Sequence, residues 1–184
     1  MFKGLVIKKT IPQISNDPLT CFLTLSSFIY SVKQNSDKTE KYTGKAKYLI
    51  FANKEIFDYF KTIQYFKNEY QNYNHEKLES KVVNTYITDS MHELEFYISA
   101  IEENEIEVVL PKKISGYSTP LELEEEVYNF LGSNPSVYNG EFVSIYNESD
   151  KDFYNRVIFP YIKTIDSLST PASEEIIGEK RWKS

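Results

Sequence analysis

Apolar residues recur with two periods along the chain, and the periods divide it into elements. Alternation at every second residue marks half-buried strands; spacing near 3.6 marks amphipathic helices. The stretch FKGLVIKK (2–9) is an apolar run closed by lysines and reads as a first strand. AKYLIFA (46–52) reads as a compact buried strand, and the β-branched content of SKVVNTYIT (80–88) marks another. Over 93–100, Leu94, Phe96, Ile98 and Ala100 alternate with Glu93, Glu95, Tyr97 and Ser99. Past a polar turn, IEENE (101–105), Ile106, Val108 and Leu110 alternate again. Together these predict an antiparallel meander over about 81–111, with one wet face.

The helical stretches are marked at their ends as well as by period. KEIFDYFKTIQYFKNEYQN follows Asn53 and carries an aromatic-rich stripe of Ile56, Phe60, Ile63, Phe66 or Lys67, and Tyr70, with Lys54, Asp58, Lys61 and Glu69 opposite. STPLELEEEVYNFLG has Thr119 as N-cap, Pro120 at the first helical position and Glu122 to complete a capping box. That helix is expected over 120–131, with Leu123, Val127 and Phe130 or Leu131 inward and Gly132 in a left-handed closing position. Asn139-Gly140 predicts a hairpin between SVY and EFVSIY. Ser149 and Asp152 open a last helix, with Phe153, Val157, Tyr161, Ile165 and Leu168 on one face and a kink near Arg156 imposed by Pro160. Segment 18–33 fits both periods. Asp17-Pro18 is a helix start, and Leu19, Phe22, Leu23, Ile29 and Tyr30 make a helical stripe, so it is read as helix although Thr20, Thr24, Phe28 and Val32 suit a strand.

The resulting fold class is α+β: a mostly antiparallel sheet, its meander at about 81–111, with three to four helices packed on one side. Residues 1–170 are expected to form a single domain. Residues 171–184 form a C-terminal tail that docks through Ile176, Ile177 and Trp182 or hangs free.

Composition narrows the setting. The chain has 184 residues, 41% of them hydrophobic and 26% charged, enough to bury its own core. One cysteine, Cys21, allows no intramolecular disulfide, and its apolar surroundings predict a buried, inert thiol. No stretch approaches the ~20 apolar residues of a membrane span. A soluble, reduced, cytoplasmic protein is expected. The net charge of −6 is unevenly spread. Residues 1–70 carry eleven lysines against six acidic residues, and residues 89–126 carry eleven acidic residues against Lys112 and Lys113.

The catalytic and cofactor signatures are weak. His92-Glu93 begins like a zinc-protease helix, but Phe96 stands where the second histidine belongs. His75, His92 and Cys21 supply too few ligands for a metal, and no glycine motif for phosphates occurs, so neither metal nor nucleotide cofactor is expected. Two arginines and a pI near 5.1 argue against direct nucleic-acid binding. A small enzyme built on His75 or His92 with a carboxylate is the alternative, and an assembly subunit joined through its aromatic surplus of 15 Tyr and 12 Phe is another.

What remains is the acidic block. Glu122, Glu124, Glu125 and Glu126 ring the capped helix. The candidate contact residues are Glu93, Glu95, Tyr97, Glu102, Glu103, Glu105, Glu107, Glu122, Glu125 and Glu126. Clustered carboxylates speed encounter with a basic partner, and tyrosine anchors interfaces. The expected function is a non-enzymatic inhibitor or immunity protein that neutralises a basic, nuclease-like toxin. The competing view is a solvated face that maintains solubility.

Overall fold

The computed structural model describes residues 2–34, 36–37, 39–72 and 77–161. The elements run β1 (Phe2–Lys9), β2 (Leu19–Gln34), β3 (Glu40–Phe51), α1 (Lys54–Asn72), α2 (Lys77–Phe96), β4 (Ile101–Leu110), α3 (Pro120–Ser133), β5 (Glu141–Glu148) and α4 (Asp150–Phe153). The five strands form one antiparallel sheet in the order β4-β3-β2-β1-β5, so the chain is an α+β protein. By contact it divides into two compact units. One holds Lys3–Lys54 and Tyr97–Asn147, with the sheet and α3; the other holds Glu55–Phe96 and the chain from Glu148 onward. The tail at 171–184, His75, Ile165 and Leu168 lie outside the described residues.

The sheet is present, but its meander lies elsewhere than expected. β1, β2 and β3 pair in sequence over residues 2–51. The two strands expected at 81–88 and 93–100 are instead α2 with a 3-10 turn after it, Ile98–Ala100. In α2, Tyr86 and Ser90 are buried and Leu94 is half-buried, which is helical spacing. Phe96 and Ile98, two of the four apolar residues of the expected alternation, are 77% and 70% exposed. Of the three expected strands only β4 survives, and it begins at Ile101, inside the expected polar turn.

Residues 18–33 form a strand rather than a helix. The β2–β3 register slips between Leu25 and Ser27, leaving Ser26 as a bulge. Before the bulge the inward residues are odd-numbered, with Cys21 and Leu23 fully buried; after it Phe28 and Tyr30 continue that face. The change of phase destroys strict alternation and imitates a helical stripe. Gly44, in β3, has the ring of Phe28 so close that a Cβ would lie 2.3 Å from it, so the ring rests on bare backbone.

The inner face of the sheet is closed by α3 and the 3-10 helix Pro135–Tyr138. Leu5, Ile7, Leu23, Ala46, Tyr48, Ile50, Val108 and Leu110 are buried from the sheet, and Val127, Tyr128, Leu131 and Tyr138 from the covering elements. The capping box forms: the Glu122 N–H donates to Thr119 Oγ1 at 3.2 Å, and Glu122 Oε2 accepts from the Ser118 N–H at 2.7 Å. Gly132 does not close the helix in a left-handed conformation. It stays helical, packed by the Phe142 ring, and α3 runs on to Ser133. The Asn139-Gly140 turn exists, with Asn139 left-handed at φ 53°, but it joins the 3-10 helix to β5 and makes no hairpin. Glycine is required next, since a Cβ on Gly140 would sit 2.5 Å from the Lys8 carbonyl oxygen.

The second unit has an aromatic core. Phe66 packs edge-on against Tyr65 and Tyr86, Tyr65 lies 5.9 Å from Phe153, and Tyr86 meets Tyr161 at 4.0 Å. Lys61, expected on the wet side of α1, is buried over the Phe57 ring, with Nζ on Gln64 Oε1. Ser149 caps α4 through the Asp152 N–H. The chain continues from α4 as a π-helical turn, Tyr154–Ile158, in which the Phe159 N–H reaches back to the Tyr154 carbonyl. Pro160, with no N–H to return to Arg156, accounts for this widened turn.

Tyr128 joins α3 to the sheet. Its hydroxyl oxygen accepts the Leu25 N–H at 2.9 Å and its O–H donates to the Lys3 carbonyl at 3.1 Å. The Tyr138 hydroxyl, also buried, has no hydrogen-bond partner among the described residues. The two tyrosines therefore differ in what a deletion costs. Tyr128→Phe strands the Leu25 N–H and leaves the Lys3 carbonyl only its 3.4 Å bond from Thr24, and should lose about 2 kcal/mol in urea unfolding, whereas Tyr138→Phe should be neutral or stabilising.

Candidate interaction surface

β4 pairs with β3 so that Glu107 opposes Lys45 and Glu105 opposes Lys47. Glu105 lies 3.9 Å from Lys45 Nζ and 4.0 Å from Lys47 Nζ. On the inner face Glu102 sits 3.6 Å from Lys9 Nζ, which also donates to the Tyr138 carbonyl at 2.7 Å. Glu125, on α3, pairs with the buried ammonium of Lys3. Lys113 pairs with Glu40 at 3.3 Å; hydrogen bonds from Tyr42 and then Lys113 hold the Glu40 carboxyl below its usual range. Lysines of β1 and β3 and acids of β4 and α3 thus meet inside one unit. A charge asymmetry along the sequence becomes cross-strand and helix–sheet pairing.

The ten expected contact residues separate accordingly. Glu102, Glu105 and Glu125 are ion-paired, and Glu122 is spent on the capping box. Glu103 is exposed on β4 opposite Leu49, and Glu107 is exposed beyond it. Glu126 is half-buried on α3. Glu93 and Glu95 are exposed in the last turn of α2, not on a hairpin, and Tyr97 precedes the 3-10 turn. Glu93, Glu95, Glu103 and Glu126 have no hydrogen bond or ion pair among the described residues. Glu124, absent from the expected contacts, also lacks a cation and faces a recess at the β2 bulge. Its signals in the sequence were its place in the glutamate ring of the capped helix and its position one turn before Val127.

His92 is exposed on α2, where Glu93 is the adjacent residue and the helix ends at Phe96. The segment is helical after all, yet the zinc pattern stays incomplete. Among the described residues no three of His, Cys, Asp and Glu gather as a metal site, and no helix is long and apolar enough to cross a membrane.

Arg156 organises the other notable charge cluster, one the sequence did not reveal. Its guanidinium donates to both Asp58 oxygens at 2.7 and 2.9 Å and to both Glu148 oxygens at 2.8 and 2.9 Å. Two carboxylates on one planar fork tie α1 and the end of β5 to the last helix. These three residues belong to one unit and satisfy one another, which suits a clamp better than a reaction centre.

No family model, curated protein or solved structure matches the chain.

Cys21 is fully buried, its Sγ 3.6 Å from the Leu19 carbonyl oxygen. Burial first, and the Glu102 charge second, push the thiol up to about 11 against the opposing pull of Lys9. The reactive thiolate therefore forms only in strong base. Native protein at pH 8 should leave an aromatic disulfide reagent unreduced, and urea-unfolded protein should react with one equivalent; fast labelling of the native state would contradict this placement.

Proposed function

We propose that this chain is a non-enzymatic cytoplasmic binding protein that neutralises a basic, nuclease-like toxin by docking acidic surface against it. One observation carries the reading: internal ion pairing stops short of the whole acidic block. Glu93 and Glu95 occupy the last turn of α2, which has no basic residue. Carboxylates there oppose the helix dipole and reduce stability. Glu103 extends along an edge strand with an apolar residue opposite it. Acid retained where it disfavours the fold is acid available to a cation elsewhere.

The test is titration with a panel of small basic nucleases at low and high salt. Binding should weaken steeply with salt, and Glu93→Lys with Glu95→Lys and Glu103→Lys should abolish it. The two helix substitutions should meanwhile raise the melting midpoint by about 2 °C, so lost binding cannot be put down to unfolding. No binding across the panel, or binding indifferent to the triple reversal, removes this reading.

One observation favours self-assembly as a second reading. β5 is an edge strand with Phe142, Val143 and Ile145 between 41% and 49% exposed. Edges of this composition pair with further strands. Light scattering should then give a mass above 21.6 kDa that returns to monomer in Val143→Lys; a monomer at high concentration excludes it.

A further inference from the structure

A cavity of about 270 Å³ opens between the β2 bulge and the first turns of α3. Leu25 and Phe28 from β2 and Leu123 and Val127 from α3 make its walls. Each wall is held in place: Leu25 by its N–H on the Tyr128 hydroxyl, Phe28 by its ring on Gly44, Val127 by full burial. The bulge at Ser26 creates the space, because it bends the strand next to a helix that Tyr128 fixes. The polar groups are few. Glu124 and Ser27 line the same recess.

The charge arrangement decides what fits. Along α3, Glu125 belongs to Lys3 and Glu122 to the cap, so neither needs a ligand. Glu124 has no cation among the described residues: the residues one turn away are Pro120, Leu121, Val127 and Tyr128, and no described lysine or arginine lines the recess. A carboxylate beside apolar walls is stabilised by a cation that brings its own apolar stem. The volume falls below the ~300–1,000 Å³ of pockets for drug-sized ligands, and suits one side chain. A carboxylate, a hydroxyl and an aromatic wall together match a planar guanidinium better than a compact ammonium.

We propose that this recess binds an arginine side chain presented by a basic protein partner. The inference rests on the docking reading for the source of the arginine, and on the recess alone for its chemistry. It gives that docking a specific anchor among otherwise diffuse charge.

The test uses the full chain, labelled at leucine and valine methyl groups, and two probes: N-acetyl-arginine amide and its uncharged analogue N-acetyl-citrulline amide. The arginine probe should give saturable shifts confined to Leu25, Leu123 and Val127, and the citrulline probe none. Glu124→Gln should weaken binding about fivefold at unchanged melting temperature, while Glu126→Gln, on the same helix outside the recess, should not. Equal binding of citrulline, equal loss in Glu126→Gln, or shifts spread over the surface would overturn the proposal. Glu124→Gln is also carried into the nuclease titration. If arginine fills the recess but no basic protein binds, the site stands and the docking reading fails. If a nuclease binds Glu124→Gln undiminished, the recess is not the anchor and the docking reading survives.

Discussion

The first unit depends on one hydroxyl group. Tyr128 Oη takes a backbone N–H from β2 at the bulge and gives its proton to a carbonyl of β1, so a single buried side chain fixes α3 against two strands. Burial pushes its phenol well above the usual range, which keeps the proton on the group that must donate it. With that contact made, Glu125 reaches Lys3, Val127 and Leu131 close the inner face, and the bulge is left with a wall opposite it. The recess is a by-product of how the helix is attached.

The class of fold was legible in the sequence; the assignment of segments to it was partly not. β1 and α1 stand where their apolar patterns put them, and the caps at Thr119 and Ser149 stand where local signals put them because each is set by a side chain reaching its own neighbouring backbone. The failures share a physical cause. Alternation over 94–100 was real, yet Phe96 and Ile98 point to water, so the apolar spacing did not record burial. The helical stripe of α2 includes Ser90, a polar residue no hydropathy pattern counts as inward. In β2 a single extra residue moved the inward face from odd to even positions and made a strand scan as a helix. Gly132 looked like a terminator, but Phe142, from the strand that follows, packs on it while the helix continues.

The candidate surface was legible as charge and illegible as geometry. Counting glutamates found the acidic block, but only strand register shows which ones lysines already occupy. Glu105 faces two cations across β3, whereas Glu103, two residues earlier on the same face, lies opposite Leu49. The Arg156 cluster and the recess beside Glu124 were illegible for opposite reasons. Asp58 and Glu148 are far from Arg156 in sequence, and the recess beside Glu124 exists only because of a bulge.

The insertion of α1 and α2 between two neighbouring strands has a consequence for synthesis. β1, β2 and β3 follow one another with connections far shorter than the 49 residues between β3 and β4, so their pairing closes smaller loops. β4 joins them only after residues 52–100 have been made, and the entropic cost of that closure falls on one strand pair. It is also the strand whose glutamates balance Lys45 and Lys47. On the ribosome the growing sheet therefore exists first as a cationic three-stranded sheet with its β3 edge open. It becomes an acidic protein only when the edge strand β4 arrives.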